Sequence, residues 1–225
     1  MPAISTVVFA DLTGSTAMFE TQGNARATQT ITGLTQWIGE VCAEHHGRVV
    51  KVLGDGVLAL FADGLLALEA VTELQRVHHA RMERAPGKAN LKLQIGVATG
   101  EVLEVDGNCY GDPVNTAARL SDLSGGGQIW ATEATVDALP GGSGPRRRSL
   151  GPVAIRGKTE PQVIYQIEWQ DELPSELLTV PAGVEEGLRS LASDQRELNI
   201  VGSETATVQE LHEARARAEA ATDAK

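Results

Sequence analysis

The first apolar segment of the chain is short and rich in β-branched residues. It covers residues 4–10 and is followed closely by Asp11 and Gly14. A continuous apolar run of this length, bounded by an acid and a glycine, is typical of a buried strand. The sequence therefore predicts a strand that delivers Asp11 to its end.

A long helix is predicted between Gly14 and Gly47. Apolar side chains recur there every three or four residues, which is the spacing of one helix face. A glycine then ends the pattern. The recurring positions are Ile31, Leu34, Ile38, Val41 and His45, with Trp37 and Cys42 beside them.

The remaining pattern alternates strand pairs with helices. Helices are predicted over residues 63–84, 112–123 and 132–139, the second with Asp112 as N-cap and Pro113 in its first position. A short strand is predicted over 128–131. Strand pairs are predicted around three turns: 48–53 with 57–61, 91–99 with 101–105, and 153–155 with 162–169. This order predicts an α+β fold with helices on one face of a mostly antiparallel sheet.

Charge divides the chain of 225 residues into two parts. Lys and Arg total 19 and Asp and Glu total 30, a net charge of −11. This balance argues against a nucleic-acid-binding protein and against docking on anionic lipid. Residues 171–225 carry 12 acids and 5 bases, a net charge of −7. We therefore predict a catalytic or binding domain over 1–170 and an acidic Ala/Glu-rich tail over 171–225, either helical or disordered.

The cysteine count and the N-terminus predict a cytoplasmic protein. Cys42 and Cys109 are isolated and form no disulfide framework, which favours a reducing compartment. The N-terminus has no basic region before its apolar run, so it does not resemble a signal peptide. No apolar stretch approaches the roughly 18 residues that cross a bilayer.

Two aspartates stand out as candidate metal ligands. Asp11 ends a predicted strand just before a turn that opens a helix, where backbone N–H groups bind phosphate and a carboxylate can hold Mg²⁺. Asp55 lies at the tip of a predicted hairpin. Each residue also has a purely structural interpretation, as a helix cap and as ordinary Asp-Gly turn chemistry. If the two acids meet across neighbouring strands, a cation between them relieves their repulsion.

Two further segments carry polar groups suited to phosphate chemistry. Asn115 and Arg119 are four residues apart and share one face of a predicted helix. An amide and a guanidinium side by side can orient a sugar and neutralise a phosphoryl group. Arg156 and Lys158 form a basic turn that is either a phosphate clamp or a charged hairpin tip. The run Arg146-Arg147-Arg148 is interpreted as a solvated loop.

Together these four segments resemble the catalytic domain of class III nucleotidyl cyclases, the adenylate/guanylate cyclase family. The resemblance covers residues 4–169 and lies in the order and spacing of the four motifs. It implies a ferredoxin-like βαββαβ core. It also implies two Mg²⁺ or Mn²⁺ ions held by Asp11, Asp55 and the backbone carbonyl of Leu12. The turn implied to lie under the triphosphate comprises Thr13, Gly14, Ser15 and Thr16.

The same resemblance assigns the remaining roles. Asn115 and Arg119 are implied to stabilise the transition state, and Arg156 to hold the terminal phosphates. Lys51 is implied to contact adenine. Asn108 stands where adenylate cyclases usually carry Asp or Thr, and its amide can accept or donate a hydrogen bond. The active form implied is a head-to-tail homodimer with each site shared between two chains.

The function predicted from the sequence is therefore conversion of ATP to 3′,5′-cyclic AMP and pyrophosphate for second-messenger signalling. Two alternatives stay open: the same chemistry on GTP or a pyrimidine triphosphate, and a catalytically silent cyclase-like module that binds nucleotide or a partner. A regulatory domain or partner outside this sequence is compatible with each of them.

Overall fold

The computed structural model describes residues 2–84 and 91–170. The predicted acidic tail and the Pro86-Gly87 helix end lie outside these ranges. The described elements are, in order, β1 (Ala3–Thr13), α1 (Ser15–Gln22), α2 (Asn24–Glu44), β2 (Arg48–Leu53), β3 (Gly56–Phe61), α3 (Gly64–Arg84), β4 (Lys92–Val105), β5 (Asn108–Tyr110), α4 (Asp112–Ser124), β6 (Gln128–Thr132), α5 (Glu133–Asp137), a 3-10 turn (Pro140–Gly142), β7 (Arg147–Val153) and β8 (Gln162–Ile167).

The strands form one mostly antiparallel sheet. Their spatial order is β2-β3-β1-β4-β6-β8-β7, and β5 pairs with the C-terminal end of β4. Only β4 and β6 run parallel among the described pairs. The two central strands are β1 and β4, which pair along the whole length of β1. The predicted α+β fold class is confirmed.

Both faces of this sheet are covered by helices, so the prediction that helices pack on one face is wrong. Successive residues of a strand point to opposite faces. Val8 and Ala10 of β1 belong to the large core that contains residues of α2 and α3. Val7 belongs to a second core that contains Ala117 of α4. The sequence pattern did not separate these faces because β1 is apolar on both.

Two glycines have structural roles other than those predicted. Gly23 has φ 76 and separates α1 from α2, so the predicted single helix is two helices. Gly100 was predicted to form a turn, but it lies inside the continuous strand β4. A Cβ at Gly100 would lie 2.8 Å from Cγ of Pro113 in α4. Gly100 is therefore explained by the close approach of a helix rather than by a change of chain direction.

The ends of α4 and β7 also differ from prediction. Gly111 occupies the N-cap position of α4 without a side-chain cap, and Asp112 is the first helical residue. The arginine run does not form a solvated loop, because Arg147 and Arg148 begin β7 and pair with β8. The strand predicted over 153–155 is likewise wrong, since β7 ends at Val153. The two errors in β7 share one cause, because strand pairing between distant segments overrides local composition.

Substitution of Gly96 by alanine is expected to destabilise the fold by at least about 3 kcal/mol. A Cβ there would lie 2.0 Å from the Ala117 carbonyl oxygen and 2.5 Å from the Ser121 nitrogen, so α4 would have to leave β4. Urea unfolding measures the loss. Gly64→Ala is the control: Gly64 begins α3 without a positive φ, and a built Cβ would lie 3.4 Å from its nearest atom, the Thr6 hydroxyl oxygen, which is an ordinary contact. Equal losses in the two variants would contradict the close packing of α4 on the sheet.

Candidate active site

The structure brings the carboxylates of Asp11 and Asp55 into one site. β1 continues to Thr13, so Asp11 lies inside the strand, opposite Gln94 of β4. On the other side, Ala10 pairs with Val57 of β3. A Cβ built on Gly56 would lie 3.0 Å from Oδ1 of Asp11. The β2–β3 turn that carries Asp55 therefore closes directly over Asp11.

The Asp11 carboxyl lies in an electrostatically unfavourable place. Its pKa is raised, first by burial and next by the negative charge of Asp55, with a smaller contribution from Asp122. Hydrogen bonds from the Gln94 side chain and the Leu12 backbone N–H act in the opposite direction. Both of these opposing groups are neutral. The pair of carboxylates therefore keeps a repulsion that a bound cation would relieve.

The donor set fits a hard divalent cation. Mg²⁺ and Mn²⁺ prefer carboxylate and carbonyl oxygens. Asp11, Asp55 and the carbonyl of Leu12 supply such oxygens, and nitrogen or sulfur ligands are not among them. Within residues 2–84 and 91–170 there is no cluster of three or more His, Cys, Asp or Glu side chains suited to a metal. The two aspartates are therefore a candidate metal site because of their oxygen donors and their mutual repulsion.

Two side chains that contact these aspartates have roles that the sequence did not predict. Nε2 of Gln94 donates a hydrogen bond to Oδ2 of Asp11 over 3.0 Å. Ser15 was predicted to lie under a triphosphate, and its hydroxyl donates to Oδ2 of Asp55. Gln94 could have been noticed as a polar residue inside an otherwise apolar strand. Its contact with Asp11 depends on the pairing of β1 with β4, which no local pattern shows.

The turn predicted to lie under the triphosphate has a backbone conformation that favours glycine. Gly14 adopts φ 89 at the N-cap position of α1, where a side chain would be strained. No side chain caps this helix. The first N–H groups of α1 lie directly after β1, the strand that carries Asp11. Thr13 and Thr16 flank this turn.

A second group of predicted residues comes together at α4. Arg119 is half-buried and Asn115 is exposed, one helical turn apart. The guanidinium of Arg119 lies against Gly157, in the turn between β7 and β8. Arg156 is exposed in the same turn. Lys158, rather than Arg156, ties the turn to the helix through an ion pair with Asp112.

The residues predicted to contact the base lie on neighbouring elements. Lys51 is exposed on β2, and Asn108 is half-buried at the start of β5. These two strands contact each other. Beside them, Arg48 of β2 forms an ion pair with Glu104 of β4. The structure therefore places Lys51 and Asn108 at one side of the sheet without a hydrogen bond between them among the described residues.

The two aspartates and the Asn115/Arg119 pair are not joined. Across the described residues, no hydrogen bond or ion pair links Asp11 or Asp55 to Asn115 or Arg119. None of the described helices is both long enough and apolar enough to span a bilayer.

Comparisons with known proteins show the family to which this chain belongs. The family model of the adenylate and guanylate cyclase catalytic domain matches residues 3–169. An adenylate cyclase of Anabaena cylindrica is 28% identical over 185 residues, covering 72% of this chain and 36% of its own length. An uncharacterized protein of Mycobacterium tuberculosis is 30% identical over 159 residues, covering 71% of this chain. The chain spans 40% of the length of that relative.

A solved structure supports the same assignment. The adenylate/guanylate cyclase/hydrolase from Silicibacter pomeroyi superposes with a TM-score of 0.63 at 28% identity. The superposition covers 74% of this chain and 97% of the other. The chain belongs to the adenylate and guanylate cyclase catalytic domain family, and its predicted ferredoxin-like cyclase fold is confirmed.

Proposed function

We propose that this protein is an adenylate cyclase that converts ATP to 3′,5′-cyclic AMP and pyrophosphate. The observation that carries the proposal is the convergence of Asp11 and Asp55 next to the N-terminus of α1. The family generally uses divalent metals, and this donor set suits Mg²⁺ or Mn²⁺. Cyclisation needs no further reactant: the ribose 3′-oxygen bonds to the α-phosphorus, and the bond from that phosphorus to pyrophosphate breaks.

Asp11, Asp55 and the Leu12 carbonyl hold the metal ions in this proposal. When bound there, divalent ions would lower the pKa of the 3′-hydroxyl and neutralise the triphosphate. The protein's own groups orient and stabilise what reacts. Thr13, Gly14, Ser15 and Thr16 form the turn beneath the phosphates.

The amide–guanidinium group supplies the second half of the site. Arg119 neutralises the charge that develops at the α-phosphate, and Asn115 orients the ribose. Arg156 holds the terminal phosphates. Following the family resemblance, we propose a head-to-tail homodimer in which each site takes Asp11 and Asp55 from one chain and Asn115 and Arg119 from the other.

ATP is the proposed substrate because of the residues that face the base. The Lys51 ammonium can donate a hydrogen bond to an acceptor atom of adenine. The Asn108 amide oxygen can accept a hydrogen bond from the adenine amino group. The same amide can also donate. GTP is therefore the second candidate, and its support is this Asn108 alone.

A direct assay of four nucleotides tests the proposal. Purified protein with Mn²⁺ is expected to form cyclic AMP and pyrophosphate, with kcat/KM for ATP roughly tenfold or more above that for GTP, CTP or UTP. Removing metal with EDTA is expected to abolish turnover, and excess Mn²⁺ to restore it. Preferred turnover of another nucleotide would overturn the assignment of the base. Nucleotide binding without any turnover would favour a silent module instead.

Fewer observations support the proposed location and signalling role of the protein. Cys42 and Cys109 are both free and buried, which is compatible with the predicted cytoplasmic location. A cyclic nucleotide product implies signalling through a downstream receptor. The regulatory domain or partner that controls the enzyme stays a prediction.

A further inference from the structure

The turn between β7 and β8 forms a seat for the side chain of Arg119. Gly157 lies in this turn with φ 78. A Cβ built there would lie 3.0 Å from Nη1, 3.1 Å from Nη2 and 3.3 Å from Cζ of Arg119. These separations are tighter than ordinary contact between a Cβ and a neighbouring atom. A methyl group at this position would therefore shift the guanidinium by a few tenths of an ångström.

Two other contacts hold the seat on α4. Nζ of Lys158 forms an ion pair with Asp112 at the start of the helix, and the Lys158 side chain is only 19% exposed. Ile155, just before the turn, is buried in one cluster with Leu120, the residue after Arg119. The backbone N–H of Lys158 donates to the Ile155 carbonyl oxygen and closes the turn. The turn is thus anchored to the helix on both sides of Arg119.

We propose that Gly157 and the Lys158–Asp112 pair are positioning residues that set the place of the Arg119 guanidinium. This inference rests on the proposed function, in which Arg119 meets the α-phosphate. A guanidinium stabilises a phosphoryl group only when its donors have the correct direction. A displacement of about 1 Å can lower a rate by about a hundredfold. Arg156 lies in the same turn. The β7–β8 turn therefore positions both cationic side chains of this half of the site, Arg119 and Arg156.

Gly157→Ala tests the seat against a matched control, Gly151→Ala. Gly151 lies in β7 with φ 75, so alanine also meets a positive φ there, but nothing lies within 4 Å of a built Cβ. We expect Gly157→Ala to lower kcat by about tenfold with little change in KM. Gly151→Ala is expected to stay within about twofold of the parent protein. Thermal melting checks that both variants stay folded at the assay temperature, so that a lower kcat is not due to unfolding.

Mixing of subunits distinguishes a displaced Arg119 from general damage. Gly157 and Arg119 belong to the same chain and therefore to the same half of a shared site. Gly157→Ala protein mixed with Asp11→Ala protein should recover activity, because the second chain contributes an intact Arg119 and its seat. Gly157→Ala protein mixed with Arg119→Ala protein should recover none. A Gly157→Ala chain that lowers activity equally in both mixtures would overturn the proposal.

The ion pair is tested by a double-mutant cycle. Lys158→Met keeps the length of the side chain and removes its charge, and Asp112→Asn keeps the shape of the partner. Each is expected to lower kcat several-fold, and the double variant no further, because both remove one interaction. Fully additive effects would show that the pair does not act as a unit and would remove it from the proposal.

The outcomes separate this inference from the function on which it rests. Absence of cyclase activity in the unmodified protein refutes the proposed function. An active parent protein, with Gly157→Ala indistinguishable from Gly151→Ala, refutes the seat and leaves the proposed function standing.

Discussion

Asp11→Asn is expected to reduce cyclase turnover by at least about a thousandfold, because it removes a charged ligand from the proposed metal site. The melting temperature of the metal-free variant should equal or exceed that of the parent. The reason is the raised pKa of Asp11, which has burial as its main cause and the charge of Asp55 as the next.

The sign of the stability effect follows from proton linkage. A carboxyl with a higher pKa in the folded chain than in the unfolded chain binds its proton more tightly when folded. Its ionisation at neutral pH therefore lowers the free energy of unfolding, and this loss disappears as the pH falls through the folded pKa. Asparagine has nearly the same shape and no charge. It relieves the repulsion from Asp55 and keeps an oxygen that can accept from Gln94.

Thermal melting with and without Mn²⁺ checks this prediction independently of activity. A ligand at a hundred times its Kd stabilises a folded protein by about 2.7 kcal/mol. The parent protein should gain stability of this order with Mn²⁺, and Asp11→Asn should gain little. Asp137→Asn is the control, since Asp137 is an exposed acid at the end of α5. A variant of Asp11 that keeps either full turnover or the full gain with Mn²⁺ would contradict the metal site.

Arg119→Ala is expected to lower kcat by about a hundredfold or more, because the α-phosphate loses a charge-assisted contact in the transition state. The fold should survive, since the guanidinium lies over a turn at the surface of α4 rather than in the core. KM for ATP should change much less than kcat, because the contact is proposed to strengthen in the transition state. Steady-state kinetics over a range of ATP concentrations measures both.

Complementation between inactive chains tests whether each site is shared by two chains. Arg119→Ala and Asp11→Ala proteins should each be inactive, and their equal mixture should recover roughly a quarter of the parent activity. Half of the dimers are then mixed, and each mixed dimer retains one intact site of two. Co-purification of differently tagged chains confirms that mixed dimers form. Mixed dimers without recovered activity would show that the site lies within one chain.

Local chemistry was enough to predict several elements correctly. The hairpin around Asp55 was predicted with almost its observed strands, because two apolar runs around a glycine-flanked acid have few other conformations. Helix spacing likewise predicted α3 within one residue of its observed start. The order of the four motifs identified the family, which the match over residues 3–169 shows.

Tertiary contacts account for the predictions that were wrong. Gly100 looked like a turn residue, yet it is a strand position that leaves room for Pro113. Arg147 and Arg148 looked solvated by composition, yet pairing with β8 makes them part of a strand. In each case the decisive partner lies far away in the chain, where no local pattern records it.

The sequence by itself determined the residue types, the fold class and the four motifs, because these depend on short-range spacing and turn chemistry. Tertiary structure alone decided which groups meet. Pairing of β1 with β3 and β4 set Asp11 beside Asp55 and Gln94, and packing of α4 set Arg119 on Gly157. The physical reason is that strand register and helix packing are set by surfaces from distant segments, so each contact in the site exists only once the whole sheet has formed.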